Sequence, residues 1–170
     1  VDPRERFDEC ARTLELLSFD VDGVLTDGRL IYTDHGHELK AFNVQDGASI
    51  KLLLARGIRV AILTGRSSPM VERRAAELKI PHVYQGLEHK AATLEKLAAD
   101  LGIPLARVAH VGDDLPDLEL FERVGLAISV PNGHPTVQAR ADYVTSAAGG
   151  EGVARELAEL ILRARDDWPY

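Results

Sequence analysis

The 170-residue sequence contains one cysteine, Cys10, which excludes an intrachain disulfide and any zinc site built on paired thiolates. A single cysteine fits a reducing compartment, and a cytoplasmic location is expected. No apolar run approaches the roughly 20 residues needed to span a bilayer. The opening stretch "VDPRERFDECARTLEL" is too charged for a secretory signal, and Arg4, Glu5, Arg6, Asp8 and Glu9 read as a short amphipathic lead-in. Concentrated basic runs are also missing and the formal net charge is −7, which disfavours nucleic acid as a partner. An anionic substrate would have to be attracted locally, by a metal, a lysine or a few arginines. No repeat, low-complexity tract or linker divides the chain, so one domain over residues 1–170 is expected. Its 45% hydrophobic content suits a packed core.

What is present is alternation. "LELLSF", "IRVAIL", "PHVYQ", "RVAHV", "GLAISV" and "DYVT" have the composition of buried strands. Between them lie helical patterns. "DGASIKLLLARG" opens on Asp46 as a possible cap, and "SPMVERRAAELK" carries Ser68 as a cap with Pro69 at the first helical position. "KAATLEKLAADLG" stops at Gly102, and "LPDLELFERVG" and "GVARELAELILRAR" complete the set, the last leading into a helix and tail over about residues 150–170. Strands alternating with helices of this length predict a doubly wound, parallel α/β sheet. "GRLIYTDHGHELKAFNV" breaks the pattern and predicts a β-hairpin inserted at about residues 28–44.

In such sheets ligands bind beyond the carboxyl ends of the strands. The first strand delivers Asp20 and Asp22 there, the second Thr64 and Gly65, the third region Lys90, and the fourth Asp113, Asp114 and Asp117. An isolated Asp-x-Asp, Thr-Gly-Arg or Gly-Asp-Asp is commonly no more than a turn, and an isolated lysine means nothing. All four at the strand ends of one α/β pattern form a chemically coherent set. Asp20, Asp22 and Asp113 offer oxygen only, which suits a hard cation such as Mg²⁺. The cation would relieve the repulsion between carboxylates and let a phosphate dianion approach one of them. Thr64 and the backbone N–H groups around Gly65 could hold phosphoryl oxygens, and Lys90 adds fixed positive charge.

These residues carry a resemblance. "DVDGVLTDG", "ILTGR", the lysine of "EHK" and "GDDLPD" resemble, in order, the four motifs of the haloacid dehalogenase superfamily. Within it the chain is similar to the cap-less 3-deoxy-D-manno-octulosonate 8-phosphate phosphatases through "AFNVQDG", "LTGRSSPMVERRAAELKI", "YQGLEHK", "VGDDLPDLELFERVGLAISVPNGHP" and "ADYVTSAAGGEG", over about residues 14–163. The resemblance implies a Rossmann-like fold without a cap domain and an Mg²⁺-dependent phosphoric monoester hydrolase in lipopolysaccharide precursor synthesis. By that resemblance Asp20 is the nucleophile and Asp22 the general acid and base. Mg²⁺ would be held by Asp20, the backbone carbonyl of Asp22, and Asp113. Thr64, Gly65 and Lys90 would bind phosphate, and Asp117 and Asp114 would support the metal ligands from behind. It also implies a homotetramer whose hairpins form a central barrel and close neighbouring active sites. Asn43, Gln45 and Arg66 are the expected substrate contacts.

Two positions depart from the family pattern. Gln45 stands where an arginine is usual and Ser49 where a glycine is; a glutamine can only hydrogen-bond the carboxylate an arginine would pair with. That keeps a nine-carbon 2-keto-3-deoxy sugar acid 9-phosphate open as the substrate. Outside this enzyme class, a non-catalytic oligomerisation module of the same fold and a receiver-type signalling domain are the rivals. Intact acidic and lysine positions weigh against the first, and the Asp-x-Asp on the first strand against the second. His35, His37, His89 and His134 show no metal spacing; His35 and His37 read as exposed loop residues, His89 as structural, and His134 as a turn residue able to line the site's rim. Asp27 could order the Asp20 loop, Arg155 could reach a site, and Trp168 and Tyr170 read as a frayed tail.

Overall fold

The computed structural model describes residues 2–170; Val1 lies outside the described residues. Its main sheet is six-stranded and wholly parallel. The strands are β1 (Leu16–Phe19), β4 (Arg59–Leu63), β5 (His82–Tyr84), β6 (Val108–Val111), β7 (Leu126–Ser129) and β8 (Tyr143–Val144), in the order β5-β4-β1-β6-β7-β8. β2 (Ile31–Tyr32) and β3 (Glu38–Leu39) form the expected hairpin as a separate antiparallel sheet. The helices are α1 (Pro3–Ala11), α2 (Val44–Ala55), α3 (Pro69–Leu78), α4 (Lys90–Leu101), α5 (Leu118–Phe121), α6 (Pro135–Arg140) and α7 (Val153–Ala164).

Strand alternation divides the core in two. Leu17 and Phe19 of β1 and Val60 and Ile62 of β4 pack with α1, α2, α3 and α7 on one face, around Phe7, Ile50, Leu53, Leu157 and Ile161. Leu16, Ala61, Leu63 and Val108 pack with α4 and α5 on the other, around Leu94, Leu97 and Leu120. The central strands are buried along their whole length, so they read as continuous apolar runs. Two polar side chains interrupt those runs on the α4 face, Ser18 and His110, both fully buried.

Several local expectations are corrected. Asn43, not Asp46, caps α2: its side-chain oxygen accepts the N–H groups of Gln45 at 2.8 Å and Asp46 at 3.1 Å. Asp46 is buried in the first turn and accepts the Arg155 N–H at 3.1 Å, so it caps α7 from across the fold. The "LPDLELF" segment splits into a 3₁₀ turn, Leu115–Asp117, and the short α5. The "PNGHP" turn leads into α6, where His134 Nδ1 accepts the Thr136 N–H at 3.1 Å. The amphipathic lead-in is the helix α1, opened by Asp2 accepting the Arg4 N–H at 2.6 Å.

The tail is docked as far as Trp168, whereas Tyr170 is exposed. Asp167 pairs with Arg56, the Arg163 guanidinium lies 5.6 Å above the Trp168 ring, and Trp168 packs against the core with Tyr170 edge-on at 5.5 Å.

The remote cap on α7 is testable. Asp46→Ala should lower stability to urea unfolding by about 1–2 kcal/mol, the cost of losing a cap, and Asp46→Asn, which keeps the acceptor oxygen, should cost clearly less.

Candidate active site

The sheet's carboxyl edge opens into a cavity of about 390 Å³. The cavity is lined by Asp20, Asp22, Thr64, Lys90, Asp113 and Asp117, among others. β1 reaches it in register with β6, because the Asp20 N–H still donates to the Val111 carbonyl at 3.0 Å. The chain then turns sharply, and the Val21 carbonyl accepts the N–H groups of Val24, Leu25 and Thr26 at 3.1, 2.9 and 3.1 Å. Gly23 lies in this turn at φ +87°, where a Cβ would fall 1.9 Å from an Asp113 carboxylate oxygen. Gly112, before Asp113, leaves the same kind of room, since a Cβ there would fall 2.3 Å from Cγ of Asp117. The glycines in "DVDG" and "VGDD" are what let the carboxylates come together.

Asp20, Asp113 and Asp117 each offer an oxygen, and these oxygens lie within 4.8 Å of one another. Lys90, the first residue of α4, is buried and reaches Asp117 Oδ1 at 2.8 Å and Asp20 Oδ2 at 3.2 Å. Asp20 also accepts the Val21 N–H at 2.8 Å. Asp117 is fully engaged. Its Oδ1 accepts from Lys90 and from His110 Nε2 at 2.9 Å, and its Oδ2 accepts the N–H groups of Asp113 at 3.0 Å and Asp114 at 3.2 Å. A carboxylate has about four acceptor sites, so Asp117 has none to spare. A cation at this cluster would therefore be held by Asp20 and Asp113, with Asp117 fixing the loop and the lysine around them. The donor set is oxygen only, as Mg²⁺ requires.

The electrostatics divide the same three residues. Burial and the charge of Asp117 push the Asp20 carboxyl up, against the pull of Lys90. Burial first, and then the charges of Asp20 and Asp117, push Asp113 up to about 8. Burial also acts to raise Asp117, but its bonds to His110 and Lys90 overrule this and hold it well below the usual carboxylate range.

Asp22 stands apart from the cluster. Its Oδ1 accepts from Lys40 Nζ at 2.6 Å, and Arg66 lies 3.9 Å from its Oδ2. Lys40, with a side chain only 2% exposed, also meets Glu38 at 3.1 Å, and Glu38 meets Arg66 at 3.2 Å. The hairpin strand β3 is thus pinned to the cavity of its own chain. Burial acts to lower the Lys40 pKa, but bonds to Asp22 and Glu38 overrule it and raise it.

Thr64 is buried at the cavity wall; its N–H is taken by the Tyr84 carbonyl at 3.0 Å, so it has its hydroxyl to offer a ligand. Gly65 and Arg66 line the same wall, and Asp114 caps the 3₁₀ turn at its rim. Asn43 and Gln45 do not line the cavity: Asn43 caps α2 and donates to the Gly150 carbonyl at 3.2 Å, and Gln45 is exposed. Arg155 is spent on α2, with its Nε on Ser49 Oγ at 2.6 Å. Asp27 accepts the Arg29 N–H at 2.9 Å and faces the Arg29 side chain, while Thr26 Oγ1 orders the Asp20 loop by accepting from Gly23 at 3.4 Å and Gly28 at 3.2 Å. Lys40 and His110 had no sequence signal beyond being polar residues beside apolar ones.

A family model for haloacid dehalogenase-like hydrolases matches residues 83–157. The 3-deoxy-D-manno-octulosonate 8-phosphate phosphatase of Escherichia coli K12 is 48% identical over 155 residues, covering 91% of this chain and 82% of that protein. This chain belongs to the 3-deoxy-D-manno-octulosonate 8-phosphate phosphatase family. The phosphatase of Moraxella catarrhalis, whose crystal structure holds magnesium, phosphate and the sugar acid, superposes with a TM-score of 0.93 at 48% identity over 95% of this chain and 93% of that one. The cobalt-bound enzyme of Haemophilus influenzae gives 0.89 at 37% identity, over 92% of each chain. The fold is thus the cap-less form of the haloacid dehalogenase superfamily.

The Asp113 proton gives a pH dependence. Between the ordinary value of 3.8 and about 8, the folded protein without metal keeps a proton that the unfolded chain has lost, so stability falls as the pH rises through this window. In a chelator, Tm should drop by several degrees between about pH 5 and pH 8.5, and Asp113→Asn should flatten the slope. Added Mg²⁺ should raise Tm more at the alkaline end, where it no longer competes with the proton.

Proposed function

We propose that this chain hydrolyses 3-deoxy-D-manno-octulosonate 8-phosphate to the free sugar acid and phosphate, with Mg²⁺, as a cytoplasmic step in lipopolysaccharide precursor synthesis. The observation that carries the reading is the pairing of Asp20 and Asp113 beside Lys90 at the base of an open polar cavity. The family relationship names the substrate.

Asp20 and Asp113, with the Asp22 carbonyl, would hold the ion, which when bound supplies positive charge that offsets the carboxylates and the phosphate. Asp20 attacks phosphorus as the bond to the sugar oxygen breaks, forming an aspartyl-phosphate. Lys90, Thr64 and the Gly65 N–H hold the phosphoryl oxygens as negative charge redistributes. Asp22 gives its proton to the departing sugar oxygen through Oδ2, since Oδ1 is engaged by Lys40. It then takes a proton from the water that attacks the aspartyl-phosphate, and Asp20 is regenerated as phosphate leaves. Arg66, at the cavity wall and exposed, is the contact this chain supplies to the sugar acid. Gln45 and Ser49 do not alter this chemistry, because neither lines the cavity of its own chain.

The hairpin supports the tetrameric reading. Leu30, Ile31, Tyr32 and Leu39 are 45%, 46%, 58% and 49% exposed, an apolar surface on a two-stranded element that suits contact with other copies. No helix among the described residues is long and apolar enough to cross a membrane.

Phosphate release from a panel of 2-keto-3-deoxy sugar phosphates with Mg²⁺ tests the reading. The eight-carbon substrate should be turned over with kcat/KM near or above about 10⁴ M⁻¹s⁻¹, and Asp20→Asn should abolish release. Preference for a nine-carbon 9-phosphate would keep the mechanism and move the substrate. Absence of Asp20-dependent release from every member would overturn the enzyme reading in favour of a non-catalytic module. In sedimentation, the wild type should run as a tetramer and Ile31→Asp with Leu39→Asp as a smaller species.

A further inference from the structure

Beneath the cavity, on the α4 face of the sheet, two fully buried polar residues sit side by side. Ser18 of β1 and His110 of β6 are direct partners in the parallel register. Ser18 Oγ lies 2.7 Å from His110 Nδ1, and His110 Nε2 lies 2.9 Å from Asp117 Oδ1. Nothing in the reaction as described uses either residue. Buried polar side chains in an otherwise apolar strand carry a desolvation cost, which is offset only when their hydrogen bonds are made. Here the bonds run in one direction, towards the active site.

The polarity of this chain of bonds can be read from its end. Asp117 accepts from Lys90 and from the N–H groups of Asp113 and Asp114, so it is a carboxylate and takes a hydrogen from His110 as well. Nε2 must then carry the hydrogen. Nδ1 then faces the Ser18 hydroxyl. The hydroxyl has one proton, and the ring nitrogen at 2.7 Å is nearer than its other neighbour, the Ala109 carbonyl, at 3.3 Å.

We propose that His110, fixed by Ser18 as the Nε2–H tautomer, is a positioning residue for the phosphatase site. It fills the last acceptor site of Asp117 and so keeps that carboxylate turned away from the cation. Asp117 then holds the Asp113–Asp114 backbone with one oxygen and aims Lys90 at Asp20 with the other. Without His110, Oδ1 has a vacant acceptor site next to Lys90, which the cation can fill by drawing the carboxylate into the cluster it now supports. Groups that orient metal ligands from behind typically contribute 10–100-fold to metal affinity or activity.

The inference rests on the proposed phosphatase reading for what the site does, but its decisive readouts need no substrate. In the wild-type protein, ¹⁵N NMR of the histidine rings should show His110 as the neutral Nε2–H form. A ring protonated at Nδ1 would overturn the proposal. Mg²⁺ binding measured by calorimetry should weaken about tenfold or more in His110→Phe. It should stay within about threefold of wild type in His110→Gln, whose amide N–H replaces the Nε2 donor. Ser18→Ala should shift Mg²⁺ binding in the same direction as His110→Phe. A purely structural role would lower Tm in both His110 variants and leave the Mg²⁺ affinity of the folded protein unchanged, and that result would overturn the proposal. Should His110→Phe fail to fold, the wild-type tautomer and the Ser18→Ala affinity still decide. A wild type that binds Mg²⁺ and shows this tautomer but releases no phosphate would remove the phosphatase reading and leave the positioning role standing.

Discussion

The carboxyl edge of the sheet depends on like charges being held together. Asp20, Asp113 and Asp117 place oxygens within 4.8 Å of one another, and one buried ammonium, Lys90, pairs with Asp20 and Asp117. Two ionised carboxylates at that spacing repel by about 3 kcal/mol at an effective dielectric of about 20. Side chains alone would rotate apart. The backbone prevents this: adjacent parallel strands bring Asp20 and Asp113 to one edge, and Gly23 and Gly112 let the loops approach closely. The same constraint ties the first loop to the rest of the fold. Asn132 donates to the Gly23 carbonyl at 2.9 Å and accepts the Gly149 N–H at 2.7 Å, and the Gly150 N–H donates to the Val24 carbonyl at 3.0 Å.

The three acids answer the repulsion in different ways, and the difference fits the tasks proposed for them. Asp117 is surrounded by four donors and is held as a stable anion. Asp113 has no ion-pair partner among the described residues, and its carboxyl is pushed up to about 8. Asp20 lies between these cases, with one backbone N–H and one ammonium. A satisfied carboxylate is a poor ligand and a good support, whereas an unsatisfied one is stabilised by whatever cation arrives. The separation follows from hydrogen-bond counts rather than from position in the motif.

Much of this was legible in the sequence, for stated reasons. Asp20, Asp22, Thr64, Lys90 and Asp113 could be found because strand ends of a parallel sheet converge on one edge, and together, though not singly, their residue types form one chemical set. The hairpin could be found because "DHGH" interrupts two short β-prone runs. What was hidden depends on contacts between distant segments. Asp46 and Asn43 are both good caps three residues apart, and only the docking of α7 shows that Asp46 serves a helix more than 100 residues away. Lys40 gains its meaning from the way the hairpin folds onto Asp22. His110 and Ser18 lie inside apolar strands, where a polar residue carries no periodic signal; the register that pairs them is set by the sheet.

The hairpin shows how one small element serves both inside and outside. Towards the cavity it presents Lys40 and Glu38, which form a closed ring of contacts with Asp22 and Arg66. On its other face it presents Ile31 and Leu39, which pair in the register, while Tyr32 pairs with Glu38 and shares its face. A two-stranded ribbon of this size is not stable alone, so its shape must come from what it touches on each side. The ion pairs fix one side in the isolated chain. In the proposed assembly, apolar contact between copies fixes the other. Asp22 is the residue through which the two sides communicate, because the oxygen bonded to Lys40 and the oxygen facing the cavity belong to one carboxylate. In the proposed mechanism, a shift of the hairpin by even one ångström would move the acid that meets the leaving oxygen, so the proposed oligomeric packing and proton transfer would be linked through a single side chain.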